Sequence, residues 1–110
     1  MQQIGANGMS SFAPWDIWWA DVKFEDSDEV KRRPVIILET GAVFALSAKV
    51  TSHEARNQWG EYEIVKWQTA GLQKPSTVRL TQLFEIDYKA FKSKIGRLHA
   101  YDIANIQKQL

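Results

Sequence analysis

The sequence predicts a mainly β protein: a small, strongly bent antiparallel sheet of about five or six short strands that closes as a barrel, with a C-terminal helix. Asp16–Val22 alternates, with Trp18, Ala20 and Val22 on one side and Ile17, Trp19 and Asp21 on the other, as in a half-buried strand. Val35-Ile36-Ile37-Leu38 is continuously apolar and rich in β-branching, as a strand covered on both faces requires. Helical spacing closes the chain at Asp102–Leu110, where Ile103, Ile106 and Leu110 share a face and Lys108 lies elsewhere. A sandwich would need more strands.

In chain order, the Gln, Gly, Asn and Ser of Met1–Ser11 predict a disordered N-terminal segment, and Phe12–Leu110 a single domain. Phe12-Ala13-Pro14-Trp15 leads into the first strand. Lys23–Arg32 is mostly charged and reads as a mobile surface loop. It delivers Arg33 to the start of the next strand, where Pro34 biases the backbone towards an extended conformation. Glu39–Ala42 is a turn, and Val43–Thr51 a strand with Phe44, Leu46, Ala48 and Val50 on one face. Ser52–Gly60 is a second polar loop, and Tyr62–Trp67 is strand-like. Gln68–Ser76, with Gly71 and Pro75, is a connection to the strand Thr77–Ile86. Asp87–Lys92 forms a short helical turn with Asp87 as its N-cap, and Lys94–Leu98 a short returning strand.

The chain has 110 residues, enough for one modest core, and a formal net charge of +1, so any basic surface must be local. Acids gather early (Asp16, Asp21, Glu25, Asp26, Asp28, Glu29) and bases late (Lys89, Lys92, Lys94, Arg97, Lys108), which predicts a basic C-terminal face opposite an acidic loop. Five Trp is high for this length and assigns some of them to a surface. The absence of Cys excludes disulfides, thiolate catalysis and Cys-based zinc sites, and fits a reducing cytoplasm. No apolar run reaches membrane-spanning length, and no signal peptide is visible. No metal-ligand cluster or phosphate-cradling glycine loop is present, so no cofactor is expected.

Four stretches together resemble the MazF/PemK (Kid)-type toxins, the RNA-cleaving halves of bacterial type II toxin–antitoxin pairs. They are Asp16–Val22, Arg33-Pro34-Val35-Ile36-Ile37-Leu38, Val50-Thr51-Ser52, and Val78–Asp87 followed by Ile95-Gly96-Arg97-Leu98. The order and spacing of these pieces, over residues 15–110, make the resemblance specific. It implies an SH3-like barrel, a homodimer and metal-independent cleavage of single-stranded RNA in the bacterial cytoplasm. It places Arg33 on the family's catalytic arginine, Thr51 on its catalytic Thr or Ser with Ser52 beside it, and Arg79 on an arginine that plasmid-borne members use. Those members have an aspartate two residues after that arginine, where this chain has Thr81; Trp15 stands where the family usually has glycine.

The chemistry suits these residue types. RNA is cut without metal when its 2′-hydroxyl attacks the adjacent phosphorus, which requires a proton acceptor, a proton donor and stabilised charge on the phosphorane. Arginine forks pair with phosphate oxygens, and a Thr hydroxyl can hold a phosphate oxygen or the 2′-OH. His53, Ser52, Thr81 and Gln82 are candidates for proton transfer or RNA contact, and Trp59 for base stacking or a dimer contact. Each has a plainer reading. His53 can be an exposed loop residue, Arg33 a partner of Asp28 or Glu29, and Arg79 an exposed cross-strand partner of a carboxylate. Lys89, Lys92, Lys94 and Arg97 can be a solvated face.

The expected partners are single-stranded mRNA, a second copy of the chain, and an acidic, partly disordered antitoxin that displaces the Lys23–Arg32 loop. One alternative is a barrel toxin that poisons a protein such as DNA gyrase. That group resembles the chain less, since its Trp-Gly-Ile end is replaced here by Gln107-Lys108-Gln109-Leu110. The other is a catalytically inactive barrel that binds RNA or protein.

Overall fold

The computed structural model describes residues 11–23, 28–55 and 59–110. The segment expected to be disordered lies, apart from Ser11, outside them, as do residues 24–27 and 56–58 of the two long loops. The fold is mostly β, with strands β1 (Asp16–Val22), β2 (Lys31–Thr40), β3 (Phe44–Thr51), β4 (Glu61–Glu63), β5 (Thr77–Asp87) and β6 (Phe91–Arg97), then helix α1 (Ala100–Gln107). They form one antiparallel sheet of six strands in the order β4-β5-β3-β2-β1-β6.

The continuous apolar run of β2 is covered on both faces, as its composition requires. Ile36 packs with Ile17, Ala48, Val50, Val78 and Ile106, whereas Val35 and Ile37 pack on the other side with Ala20, Ala45, Ile86 and Phe91. The second cluster is closed by aromatic rings, Phe12 stacking on Trp18 at 4.6 Å and tilting against Phe91 at 5.3 Å.

Several boundaries differ from expectation. β2 begins at Lys31, inside the expected loop, because Lys31 and Arg32 pair in register with Val22 and Asp21 and Arg32 bonds the Asp21 carboxylate. In β3, Ala48 and Val50 pack in the first cluster and Ala45 in the second, as the expected alternation requires, while Phe44 at its start is exposed. Register shifts between Ile37 and Glu39 of β2 and opposite Ala48 and Lys49 interrupt its two ladders. The expected Tyr62–Trp67 strand shrinks to Glu61–Glu63. Beyond it the backbone winds into helical turns, with Ala70 N donating to Lys66 O at 3.1 Å. Asp102, fully buried on α1, caps these turns by accepting from Val65 N at 2.9 Å and Lys66 N at 2.8 Å, and also from the Tyr62 hydroxyl. A contact across so much sequence overrides local strand propensity.

Asp87 does cap a helical turn, a single 3₁₀ turn over Tyr88–Ala90, but β6 then starts at Phe91 rather than Lys94. Helix α1 starts and ends earlier than expected. His99 is its N-cap, accepting from Tyr101 N through Nδ1 at 3.0 Å, and Leu110 is left exposed.

The turn after β4 also meets β6 across the open side of the sheet. A Cβ on Gly96 would lie 2.0 Å from the Ala70 carbonyl oxygen, so only glycine allows this approach. Trp15, where the resembled family usually has glycine, has φ of 76°, a conformation that costs a side-chain-bearing residue about 1–2 kcal/mol. It is held there by Trp15 N donating to Ile37 O at 2.6 Å and by Leu98 N donating to Trp15 O at 2.9 Å.

Candidate functional site

Three of the five late bases face carboxylates, which weakens the basic face that the sequence predicts. β6 pairs with β1, so Lys94 and Arg97 lie 3.5 and 3.4 Å from Asp16, and Lys92 lies 4.0 Å from Asp21. The opposite charges of the two chain ends neutralise each other across one strand pair.

Positive charge is concentrated elsewhere. A cleft of about 750 Å³ is lined by Arg32, Arg33, Lys49, Lys74 and Arg79, with no carboxylate among the described lining residues. Five of the chain's fourteen Lys and Arg therefore share one concavity in a protein of net charge +1. A low-dielectric cleft lined by one sign of charge focuses its field on an incoming anion.

Three central strands supply the site. Arg33 is exposed in β2, opposite Ala20. The plainer reading, a pair with Glu29, is not realised: Glu29 sits 3.4 Å from Lys31. Among the described residues no carboxylate pairs with Arg33, while its neighbour Arg32 donates from Nε to Asp21 Oδ1 at 2.8 Å. This hydrogen bond holds the Asp21 carboxyl below its usual pKa, and raises that of Arg32. Arg32 is thus tied to the sheet and Arg33 faces the cleft.

Thr51 ends β3, and its hydroxyl oxygen accepts from His53 N at 3.3 Å. His53 O in turn accepts from Thr77 Oγ1 at 2.7 Å. These two bonds turn the chain sharply, so that Thr51, Ser52 and His53 all line the cleft. Arg79 enters from β5, opposite Lys49, with its side chain only 13% exposed. It does have the carboxylate partner that its plainer reading expected: Glu61, across the β4–β5 pair, lies 3.6 Å from Arg79 Nε. The pair is buried rather than exposed.

The other sequence candidates lie away from the cleft. β5 bulges between Arg79 and Leu83, which oppose consecutive residues of β3, so Thr81 and Gln82 do not line it. Thr81 packs against Gly60. Trp59 is 68% exposed and also outside the cleft. Trp19, half-exposed on β1, and the Gly71–Lys74 segment line it and were missed. The outward alternation of Trp19 was the one signal that marked it; the segment comes close only through the Asp102 cap.

Among the described residues no cluster of His, Asp and Glu side chains could hold a metal ion, and no helix is long and apolar enough to cross a membrane.

No curated protein sequence matches the chain. In structure it is similar to the Mycobacterium tuberculosis toxin MazF-mt6, with a TM-score of 0.67 and 22% identity over 86% of this chain and 90% of that one. The family model of the PemK-like, MazF-like toxins of type II toxin-antitoxin systems matches residues 13–110. With that match over nearly its whole length, the chain belongs to the PemK-like, MazF-like toxin family, whose type II systems imply an antitoxin partner.

Proposed function

We propose that the chain is an endoribonuclease that cuts single-stranded mRNA in the bacterial cytoplasm, without a metal ion. The observation that carries this reading is the cleft of five cations, with no carboxylate among its described lining residues and none of the described carboxylates paired with Arg33 at its rim. A polyanion gains most at such a site, and an unpaired guanidinium keeps its fork for phosphate.

In the proposed reaction the RNA 2′-hydroxyl attacks the adjacent phosphorus. Its proton passes to a base as the P–O5′ bond breaks. The leaving 5′-oxygen takes up a proton, giving a 2′,3′-cyclic phosphate and a 5′-hydroxyl. Arg33 and Arg79 stabilise the phosphorane, and the Thr51 hydroxyl fixes a phosphate oxygen or the attacking group. His53 supplies an imidazole at the same rim, suited to moving the proton.

An acidic antitoxin peptide fits the same cleft, its carboxylates standing in for phosphates, so binding of antitoxin and RNA should be mutually exclusive. A homodimer is supported by Val43, Phe44 and Leu83, large apolar side chains that are 54%, 47% and 41% exposed.

The test is incubation of the purified protein with a long unstructured RNA in EDTA, with the cut ends mapped. Cleavage to cyclic-phosphate and 5′-hydroxyl ends is expected. Intact RNA across varied sequences would reject the reading.

A further inference from the structure

Glu61 is out of place on a three-residue strand at the sheet edge. Its side chain has no solvent exposure at all. A buried carboxylate is expensive unless a cation answers it, and Arg79 answers it directly across the β4–β5 ladder. The geometry is selective. Arg79 Nε is buried 3.6 Å from Glu61 Oε2, an ion pair without a hydrogen bond, and Arg79, its side chain 13% exposed, also lines the cleft. The carboxylate therefore takes the inner edge of the guanidinium and leaves its outer part for a ligand.

We propose that Glu61 is the positioning residue for Arg79, fixing one fork in the anion cleft at the expense of its net charge. This rests on the nuclease reading for its catalytic consequence. A long arginine side chain loses rotamer freedom when it grips a phosphate; one already held by a buried partner loses less. Arg33, with no described carboxylate partner, supplies attraction, and Arg79 supplies fixed geometry. Glu61 itself is sealed from the cleft and touches no substrate.

Removing the carboxylate charge should then separate binding from turnover. Glu61→Gln keeps the shape and releases a cation into the cleft. An uncleavable 2′-deoxy oligonucleotide should bind as tightly as to wild type or tighter, with the salt slope steeper by about 0.7, as for one more phosphate contact. The kcat on RNA should fall tenfold or more with KM unchanged or lower. Glu61→Asp should recover part of it. In an Arg79→Ala background Glu61→Gln should not lower kcat further, and should cost less stability than in wild type, because the Arg79 contact is already gone.

A Glu61→Gln kcat within twofold of wild type would overturn the proposal. So would a loss of oligonucleotide binding that tracks the loss of folded protein, the mark of a merely structural residue. If Glu61→Gln does not fold, Glu61→Asp and the stability cycle with Arg79→Ala carry the same decision. A wild-type protein that cuts no RNA would reject the nuclease reading alone. The oligonucleotide arm would then still judge Glu61, since an unchanged salt slope in Glu61→Gln would reject its hold on Arg79.

Discussion

Arg33 and Arg79 stand on strands that flank β3 and line the same cleft, yet their surroundings are opposite. Arg33 is exposed on β2, and no described carboxylate pairs with it; Glu29 lies beside Lys31 and Asp21 beside Arg32. Arg79 is nearly buried on β5 and tied to a carboxylate without solvent exposure. The contrast teaches that an arginine motif fixes neither charge nor order. In the proposed site one arginine would contribute net attraction, and the other, held within the fold, direction.

Arg79→Ala should have the largest effect, because it acts on both fold and site. It removes the cation beside the buried Glu61 carboxylate, a change worth up to about 3–5 kcal/mol of stability, and lowers RNA cleavage as well. Denaturant unfolding beside cleavage kinetics would read both. A variant as stable as wild type would show that Glu61 has other adequate partners and would break the comparison.

Arg33→Ala should be the purer lesion. Its kcat should fall about a hundredfold or more, on the order of 3 kcal/mol in the transition state, with an unfolding midpoint like that of wild type. Arg33→Lys should recover only part of the rate, since it keeps the charge but loses the fork. If Arg33→Ala cut RNA normally while a change at His53 or Arg79 abolished cleavage, the centre of the site would lie on the other wall.

Thr51→Ala should be well folded and lose about tenfold in kcat, roughly 1.4 kcal/mol. Combined with Arg33→Ala the loss should be less than additive if both hold one phosphate. Additive losses would place the two residues on separate groups.

The smallest effect concerns the support beneath the cleft. Burial first, and then the hydrogen bond to Asp102, push the Tyr62 hydroxyl up to about 12 from 10. A raised folded pKa means that the neutral form stabilises the fold. Its contribution is fully present below pH 10 and is lost as pH rises through 12. Stability measured against pH should decline in that window for wild type, and less steeply for Tyr62→Phe. Tyr62→Phe should cost about 1 kcal/mol at neutral pH for the lost hydrogen bond. An equal alkaline decline in both would assign the transition to another group.

Much of the fold was legible in the sequence. The alternation of Asp16–Val22, the doubly covered run Val35–Ile37, the Asp87 cap and the closing helix all express local periodicity or capping, which the chain carries with it wherever it folds. Arg33, Thr51 and Arg79 were singled out through the family resemblance of the motifs around them, and all three line one cleft. What failed depended on distant partners. A bulge in β5, seen only in its pairing with β3, carries Thr81 and Gln82 away from the cleft. Asp102 winds residues that read as strand into turns, and so brings Gly71–Lys74 to the site.

The sequence by itself determined a small β protein with two separated arginines and a hydroxyl capable of phosphate chemistry, because residue type and period are local properties. Tertiary structure alone decided which charges remain unanswered. β6 lies beside β1 and sets Lys92, Lys94 and Arg97 against its carboxylates, β1 holds Arg32, and β4 sets Glu61 against Arg79. Electrostatic pairing depends on distance through space, and the ladder register sets that distance.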